Sequence, residues 1–333
     1  VAFAGALSAR SASIVTEWQL IERYFRHLGV KRGDVALGIG DDAALLRVPA
    51  GMELVLTTDA LIEGAHFLSG ASANSLGHRA LAVNLSDIAA MGAAPSWALL
   101  SLNLPSVDEA WLQEFASGFQ ALAQQHDVAL VGGNLGRGPL SITVELAGIV
   151  PAGKALRRDG ARPGDLLYVS GTLGDAAQSL LLPKTPQPAT DADARYLRAR
   201  LEYPTPRVAL GQALRGIATA CIDVSDGLYA DVGHLVAASD CAVELQADSV
   251  PVSEPLRRVA GEQAWQAALR GGEDYELCFA ASAPFEQQIE ELARNTGQPI
   301  RRIGTIGPGS GITLKCGKTV MQFSASGFDH FRD

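Results

Sequence analysis

Cysteine is scarce in this 333-residue chain, and the few present do not group. Cys221, Cys241, Cys278 and Cys316 lie far apart with no CxxC pair, which argues against a zinc site and against a dense disulfide framework. A reducing cytoplasm is the compartment expected. Histidines number only six, and no Ser–His or Cys–His pair accompanies the motifs below, so triad-type nucleophilic chemistry is not expected. Basic charge is in deficit: 27 Lys and Arg against 36 Asp and Glu give −9, a field that opposes nucleic acid. Phosphate ligands would need metal ions or local arginines. No apolar run reaches the ~20 residues of a membrane span, and residues 1–13 lack the charged leader and apolar core of a signal peptide; they read as a disordered tail. No segment repeats another.

What remains is ordinary globular material, 47% hydrophobic and 19% charged, long enough for two domains with substantial cores. "TEWQLIERYFRHLG" (16–29) has a Thr cap, helical apolar spacing and a closing glycine, and predicts a helix. "MELVLTTDA" (52–60) predicts a strand, and the Ala-rich "NSLGHRALAVNLSDIAAMGAAP" (74–95) a buried helix. A strand over "WALLSLNLP", a helix from Asp108 to Gln125, and strands over "VALVGGN" and "LSITVELAGIVP" follow, an α/β or α+β succession. "PAGKALRRDGARPGD" (151–165), rich in Pro, Gly and basic residues, marks a domain boundary. Beyond it come a strand "DLLYVSG", a mobile Pro/Thr-rich loop from Pro183 to Asp193, "TACIDVSDG", a helix from Leu228 to Ser239, "CAVELQA", "EDYELCFAAS" and "RRIGTIG".

Carboxylates next to Gly, Ser or Thr recur at the ends of these elements. Asp41 and Asp42 stand side by side in "GIGDDAA", where two unpaired charges about 4 Å apart would repel by roughly 4 kcal/mol. Asp59 ends "TTDA", Asp87 sits inside the apolar "NLSDIAAMGA", Asp223 and Asp226 belong to "IDVSDGL", and Glu273 and Asp274 to "GGEDYEL". Each could be a solvated turn or helix cap. Asp87 is harder to treat so, because an unpaired carboxylate within an apolar helix costs several kcal/mol and requires a cation or donors. An acidic set without His or Cys is a hard oxygen-donor set, suited to Mg²⁺. "VGGNLGRGP" (131–139) places four glycines between strand-like runs, where backbone amides could approach phosphate or where a plain hairpin could turn. It is neither a P-loop nor GxGxxG.

Taken in order, "GIGDDAALL", "LTTDALIEGAHF", "LAVNLSDIAAMGA", "VGGNLGRGPLSIT", "IDVSDGL" and "GGEDYELCF" resemble the thiamine-monophosphate kinase family. The likeness covers Thr16 to Phe331 and extends to ATP-binding synthetases typified by aminoimidazole ribonucleotide synthetase. It implies an α/β (α+β) two-domain synthetase-like fold. Residues 14–150 would form an N-terminal domain used for ATP binding and homodimerisation, and residues 151–333 a C-terminal α/β domain. The implied reaction is ATP- and Mg²⁺-dependent phosphorylation of thiamine monophosphate to thiamine diphosphate, in the cytoplasm, with no nucleic-acid or membrane partner. The family's metal ligands would fall on Asp41, Asp42, Thr57, Thr58, Asp59, Asp87, Asn134, Asp223 and Asp226. ATP contacts would fall on Gly133, Asn134, Arg158 and Ser225, and contacts to thiamine monophosphate on His66, Glu273 and Phe328. Asn134 departs from the aspartate usual in this family, and offers a carbonyl oxygen without charge. The acceptor phosphate already carries its negative charge, so direct in-line transfer with no general base is the mechanism implied. A regulatory protein that binds nucleotide without catalysis is the rival that Asn134 would favour.

Overall fold

The computed structural model describes residues 15–182 and 192–325. Thr16 opens the chain's first helix as a capping box: its hydroxyl oxygen accepts the Gln19 N–H at 3.4 Å, and the Gln19 side-chain oxygen accepts the Thr16 N–H at 2.9 Å. Helix α1 (Glu17–Leu20) then widens into a π turn over Ile21–Phe25, shorter than the helix to Gly29 that the spacing predicts. The chain must leave the helix to reach a neighbouring strand. Gly29, at φ +85, lies so close that a Cβ would meet the Val128 carbonyl oxygen at 2.4 Å, and the next residue, Val30, donates its N–H to that oxygen at 2.9 Å.

A small antiparallel pair, β1 (Val35–Leu37) and β2 (Leu45–Leu46), flanks the Gly-Asp-Asp turn. The N-terminal unit then runs through β3 (Met52–Ile62), α2 (Ala73–Ala90), β4 (Ala94–Leu104), α3 (Glu109–Gln125), β5 (Ala129–Arg137) and β6 (Ser141–Pro151). Its four-stranded sheet has the order β3-β6-β4-β5, parallel only between β4 and β5. Helix α2 stops before "AAP", contrary to the expected end near Pro95. Gly92 turns left-handed at φ +65, and Ala94 begins β4. Helices α2 and α3 pack against each other at backbone distance. A Cβ at Gly77 would lie 2.0 Å from the Phe115 carbonyl oxygen, and one at Gly118 would lie 1.9 Å from that of Asn74.

The second unit contains β7 (Leu166–Ser170), α4 (Asp175–Leu181), α5 (Ala192–Glu202), α6 (Val208–Ala213), β8 (Ala218–Val224), α7 (Leu228–Ala238), β9 (Ala242–Gln246), α8 (Glu254–Ala260), α9 (Ala264–Arg270), β10 (Glu276–Ala281), α10 (Glu286–Thr296), β11 (Ile300–Gly307), β12 (Gly311–Cys316) and β13 (Thr319–Val320). The expected loop from Pro183 to Asp193 lies mostly outside the described residues, while Ala192 and Asp193 already belong to α5. Asp193 is held there by Arg258 at 2.7 Å. The sheet order is β13-β12-β9-β11-β7-β10-β8, antiparallel except for β9 with β12.

Period-two alternation divides the second sheet between two cores. Leu166, Tyr168, Cys221, Leu277 and Phe279 join α2 and the first sheet in one apolar cluster. Leu167, Val169, Ile222, Val224 and Cys278 pack with α7 side chains in another. Helix α2 therefore lies at the seam between the two sheets. The face of the first sheet away from α2 stays open, with Leu56 70% and Leu54 47% exposed. All four cysteines are free thiols, and no helix among the described residues is long and apolar enough to cross a membrane.

Candidate active site at the seam

Strand pleat decides which residues of "LTTDA" meet the seam. Side chains alternate between the two faces, and Leu61, on the side of the main core, is buried while Leu54 and Leu56 are exposed. Thr57 and Asp59 thus share the α2 side, and Thr58 stands on the open face. The Thr57 hydroxyl donates to Asp87 Oδ2 at 2.5 Å. One residue earlier on α2, the Ser86 hydroxyl donates to Asp223 Oδ2 of β8 at 2.7 Å. Two successive residues of one helix thereby reach an acid site on both sheets.

These carboxylates raise one another's proton affinity. Partial desolvation by the surrounding protein, and then the charges of Asp87, Glu273 and Asp226, push the Asp59 carboxyl up to about 7, although the residue keeps an exposed edge. Burial and the Asp87 charge push Asp223 up to about 7 against the opposing Ser86 hydrogen bond and Arg158 field. Asp87 is raised by burial, opposed by the Thr57 hydrogen bond and Arg158. Arg158 therefore lies within electrostatic reach of both Asp87 and Asp223. Asp231, which sequence reasoning missed, accepts the Ser225 and Asp226 N–H groups at 3.1 Å each. It holds the "SDG" turn in place, and burial and the nearby Asp223 and Asp226 push its carboxyl up to about 8. The site is an acidic pocket short of positive charge, and a hard cation with phosphate oxygens is its natural complement.

Against the same turn lies the glutamate of "GGEDYEL". The Glu273 N–H donates to the Ser225 carbonyl and the Tyr275 N–H to the Val224 carbonyl, each at 2.8 Å. The segment "EDYELCFAAS" starts at Glu273, but β10 begins only at Glu276. Glu273 and Tyr275 take left-handed φ values of +70 and +52, which ladder pairing does not permit. His66 follows β3, and its Nδ1 accepts the Ile62 N–H at 3.0 Å. Phe328 lies outside the described residues.

The other candidates gather on the open face of the first sheet. Asp41 and Asp42 are exposed, and the Asp42 N–H donates to Asp41 Oδ1 at 2.8 Å, so the first carboxylate closes its own turn. They line a cavity of about 900 Å³ together with Leu56, Trp97, Gly133 and Asn134. The glycine-rich segment is not a hairpin. It is largely strand β5 itself, parallel to β4 and not paired with β6. Gly133, at φ +150, approaches so closely that a Cβ would meet the Leu100 carbonyl oxygen at 1.9 Å. Within this chain the structure thus brings together Thr57, Asp59, Asp87, Arg158, Asp223, Ser225, Asp226 and Glu273. Thr58, Asp41, Asp42, Gly133 and Asn134 stand apart from them. Among the described residues no three acidic, His or Cys side chains form a protein-only metal cage.

Two adjoining α/β units with an acid site at their seam define a known class. Residues 40–150 match the family described as AIR synthase related protein, N-terminal domain, and residues 162–317 its C-terminal domain. "Thiamine-monophosphate kinase" of Salmonella typhimurium (strain LT2) is 45% identical over 318 residues, 95% of this chain and 98% of that protein. The Haemophilus influenzae protein of the same name is 43% identical over 95% of this chain and 98% of its own length. A crystal structure of thiamine-monophosphate kinase from Stenotrophomonas maltophilia K279a superposes with TM-score 0.82 at 50% identity, covering 86% of this chain and 92% of that one. AaThiL complexed with AMPPCP and TMP superposes with TM-score 0.75 at 32% identity, covering 86% and 89%. This chain belongs to the thiamine-monophosphate kinase family.

Proposed function

We propose that this protein transfers the γ-phosphoryl group of ATP to the phosphate of thiamine monophosphate, giving thiamine diphosphate, by one in-line displacement that requires Mg²⁺. The observation that carries this reading is the convergence of Asp59, Asp87, Asp223 and Asp226 beside Arg158 where α2 meets both sheets. The relative bound to AMPPCP, an ATP analogue, and TMP supports the substrate pair. A sheet ending at Pro151 and another starting at Leu166 support domains at 14–150 and 151–333.

The residues present fit Mg²⁺ by their chemistry. Their oxygens are hard donors, and the exposed Asp59 and buried Asp223 carboxyls, both pushed up to about 7, are deficient in countercharge. Mg²⁺ usually takes only one or two carboxylates and leaves its other positions to water and phosphate, so a complete protein cage is not required. Asp59, Asp87, Asp223 and Asp226 with Thr57 would hold the ions, while Asp41, Asp42, Thr58 and Asn134 remain ligands by family likeness alone. Bound there, the metal would offset charge on the transferring phosphoryl group. Arg158 offers a planar fork to phosphate oxygens, and Ser225 and Gly133 would contact ATP. His66, Glu273 and Phe328 would hold the thiamine portion. The acceptor phosphate is its own nucleophile, so no side chain needs to take a proton.

Stereochemistry tests the mechanism. With ATP made chiral at the γ-phosphorus, thiamine diphosphate should form with inversion, and should form at least ~100-fold more slowly without Mg²⁺. Retention of configuration would point to a phosphoenzyme, and full turnover without metal would exclude the Mg²⁺ role.

We infer a homodimer through the open face of the first sheet. Leu54, Leu56 and Leu99 lie exposed on it around Trp97, an apolar sheet face of the kind that marks an interface. Leu56→Glu should convert a dimer to a monomer in sedimentation equilibrium. A wild-type chain that sediments as a monomer at micromolar concentration would overturn the assignment. Four unpaired thiols support work in a reducing compartment, the cytoplasm.

A further inference from the structure

Arg79 is only 6% exposed, on a helix otherwise dominated by alanine and leucine. Its Nη2 donates to Glu273 Oε2 at 2.6 Å and its Nη1 to the backbone carbonyl of His66 at 3.1 Å. The Tyr275 hydroxyl donates to the same Glu273 Oε2 at 3.0 Å. Both bonds fall on one oxygen, which leaves Oε1 without a hydrogen bond among the described residues. His66 follows β3 and Glu273 precedes β10, so one guanidinium joins a turn of each unit across the seam. Its Nε is buried with no hydrogen-bond partner among the described residues, a cost that packing alone does not explain. The backbone it meets is itself unusual, since Glu273 and Tyr275 are left-handed. Such residues keep that conformation only where their surroundings impose it.

We propose that Arg79 is a positioning residue for the acceptor subsite. It fixes the Glu273 carboxylate and the His66 turn at one separation, and presents Glu273 Oε1 to an N–H or cationic group on the organic part of thiamine monophosphate. The inference rests on the reading that Glu273 faces this substrate. The rigid fork of arginine reaches two acceptors on different units at once, whereas a lysine ammonium on the same helix would serve one.

Steady-state kinetics of the full chain, with ATP and thiamine monophosphate varied separately, test it. Arg79→Met should raise KM for thiamine monophosphate by about 10-fold or more while KM for ATP changes less than about 2-fold. Arg79→Lys should recover part of the loss, and Tyr275→Phe should raise the same KM by a smaller factor. If Arg79→Met does not fold, the lysine and Tyr275→Phe variants carry the comparison. Equal rises in both KM values, or a fall in kcat alone, would show a structural role only and overturn the proposal. Glu273→Gln separates the two layers. An unchanged KM for thiamine monophosphate in that variant removes the substrate role of Glu273 and the proposal with it. A raised KM there with unaffected Arg79 variants removes the positioning role alone.

Discussion

Asp223→Asn should lower kcat/KM by on the order of 10²–10³ and at the same time raise the melting temperature of the ligand-free protein. Both effects arise from one cause. Asp223 is 4% exposed and faces the Asp87 charge, and burial with that charge pushes its carboxyl up to about 7. An unfolded chain holds an aspartate near its ordinary value of about 4. Above pH ~4 the folded chain therefore keeps protons that the unfolded chain has released, and stability falls as pH rises until the folded carboxyls ionise. Asp59 and Asp231, pushed up to about 7 and about 8, act in the same direction. The ligand-free protein should melt higher near pH 6 than near pH 8, and Mg²⁺ with ATP should flatten the profile by supplying the missing positive charge. The amide introduced by Asp223→Asn would retain an oxygen for the Ser86 hydroxyl while removing the charge, so the gain in melting temperature should be larger at pH 8 than at pH 6. Calorimetric scans across this range, with and without Mg²⁺ and ATP, make the comparison. A variant as active as wild type would remove Asp223 from the site, and one with no thermal gain at pH 8 would contradict the shortage of countercharge.

The part of this site legible in sequence was the part that violates a local rule. Asp87 stands out because a carboxylate in an apolar helix needs a partner, and the structure supplies the Thr57 hydroxyl and the Arg158 field. Arg79 breaks the same rule eight residues earlier and carried the same signal. The side of β3 that each residue faces was not legible from the motif, which treats Thr57, Thr58 and Asp59 as one unit. Pleat separates Thr58 from the other two once the sheet's covered face is known. Left-handed backbone at Glu273 and Tyr275 was also hidden, because neither residue favours it and only contacts remote in sequence impose it. The glycines of "VGGNLGRGP" left two readings open for a related reason: they permit a close backbone approach, and propensity cannot say whether phosphate or a neighbouring strand will make it. Element type was more transparent, since β3, β4, β6 and α3 each follow a clear period.

Glu276→Leu should destabilise the fold by about 3–5 kcal/mol, because it removes one partner from a buried ion cluster and leaves Arg207 without its countercharge, while Arg200 keeps Asp175. Glu276 is fully buried. It accepts from Arg207 Nε at 2.6 Å and also from Arg207 Nη2, from Arg200 Nη2 at 3.1 Å and from the Ser170 hydroxyl at 2.6 Å. Burial by itself would raise the carboxyl, but the Arg207 hydrogen bonds and the fields of Arg207 and Arg200 outweigh it and hold the group below its ordinary value. Glu276 thus contributes stability above the unfolded glutamate pKa, and this is lost as pH falls through the still lower folded value. That acid limb is opposite in sign to the one set by Asp223, so maximum stability should lie between them. Adding Arg207→Met to Glu276→Leu should restore much of the loss, since exchanging a whole buried pair for apolar groups is often neutral. Chemical denaturation of the single and double variants reads this directly. A double variant as unstable as Glu276→Leu alone would show that shape, rather than charge pairing, dominates here. Shape does matter at this point: a Cβ on Gly171 would lie 2.1 Å from Glu276 Oε1, so the carboxylate rests against bare backbone. Glu276 begins the strand that follows the left-handed turn at Glu273, and Arg200 and Arg207 lie in and just after α5. Loss of the cluster should therefore also loosen the acceptor subsite, raising KM for thiamine monophosphate before it affects KM for ATP.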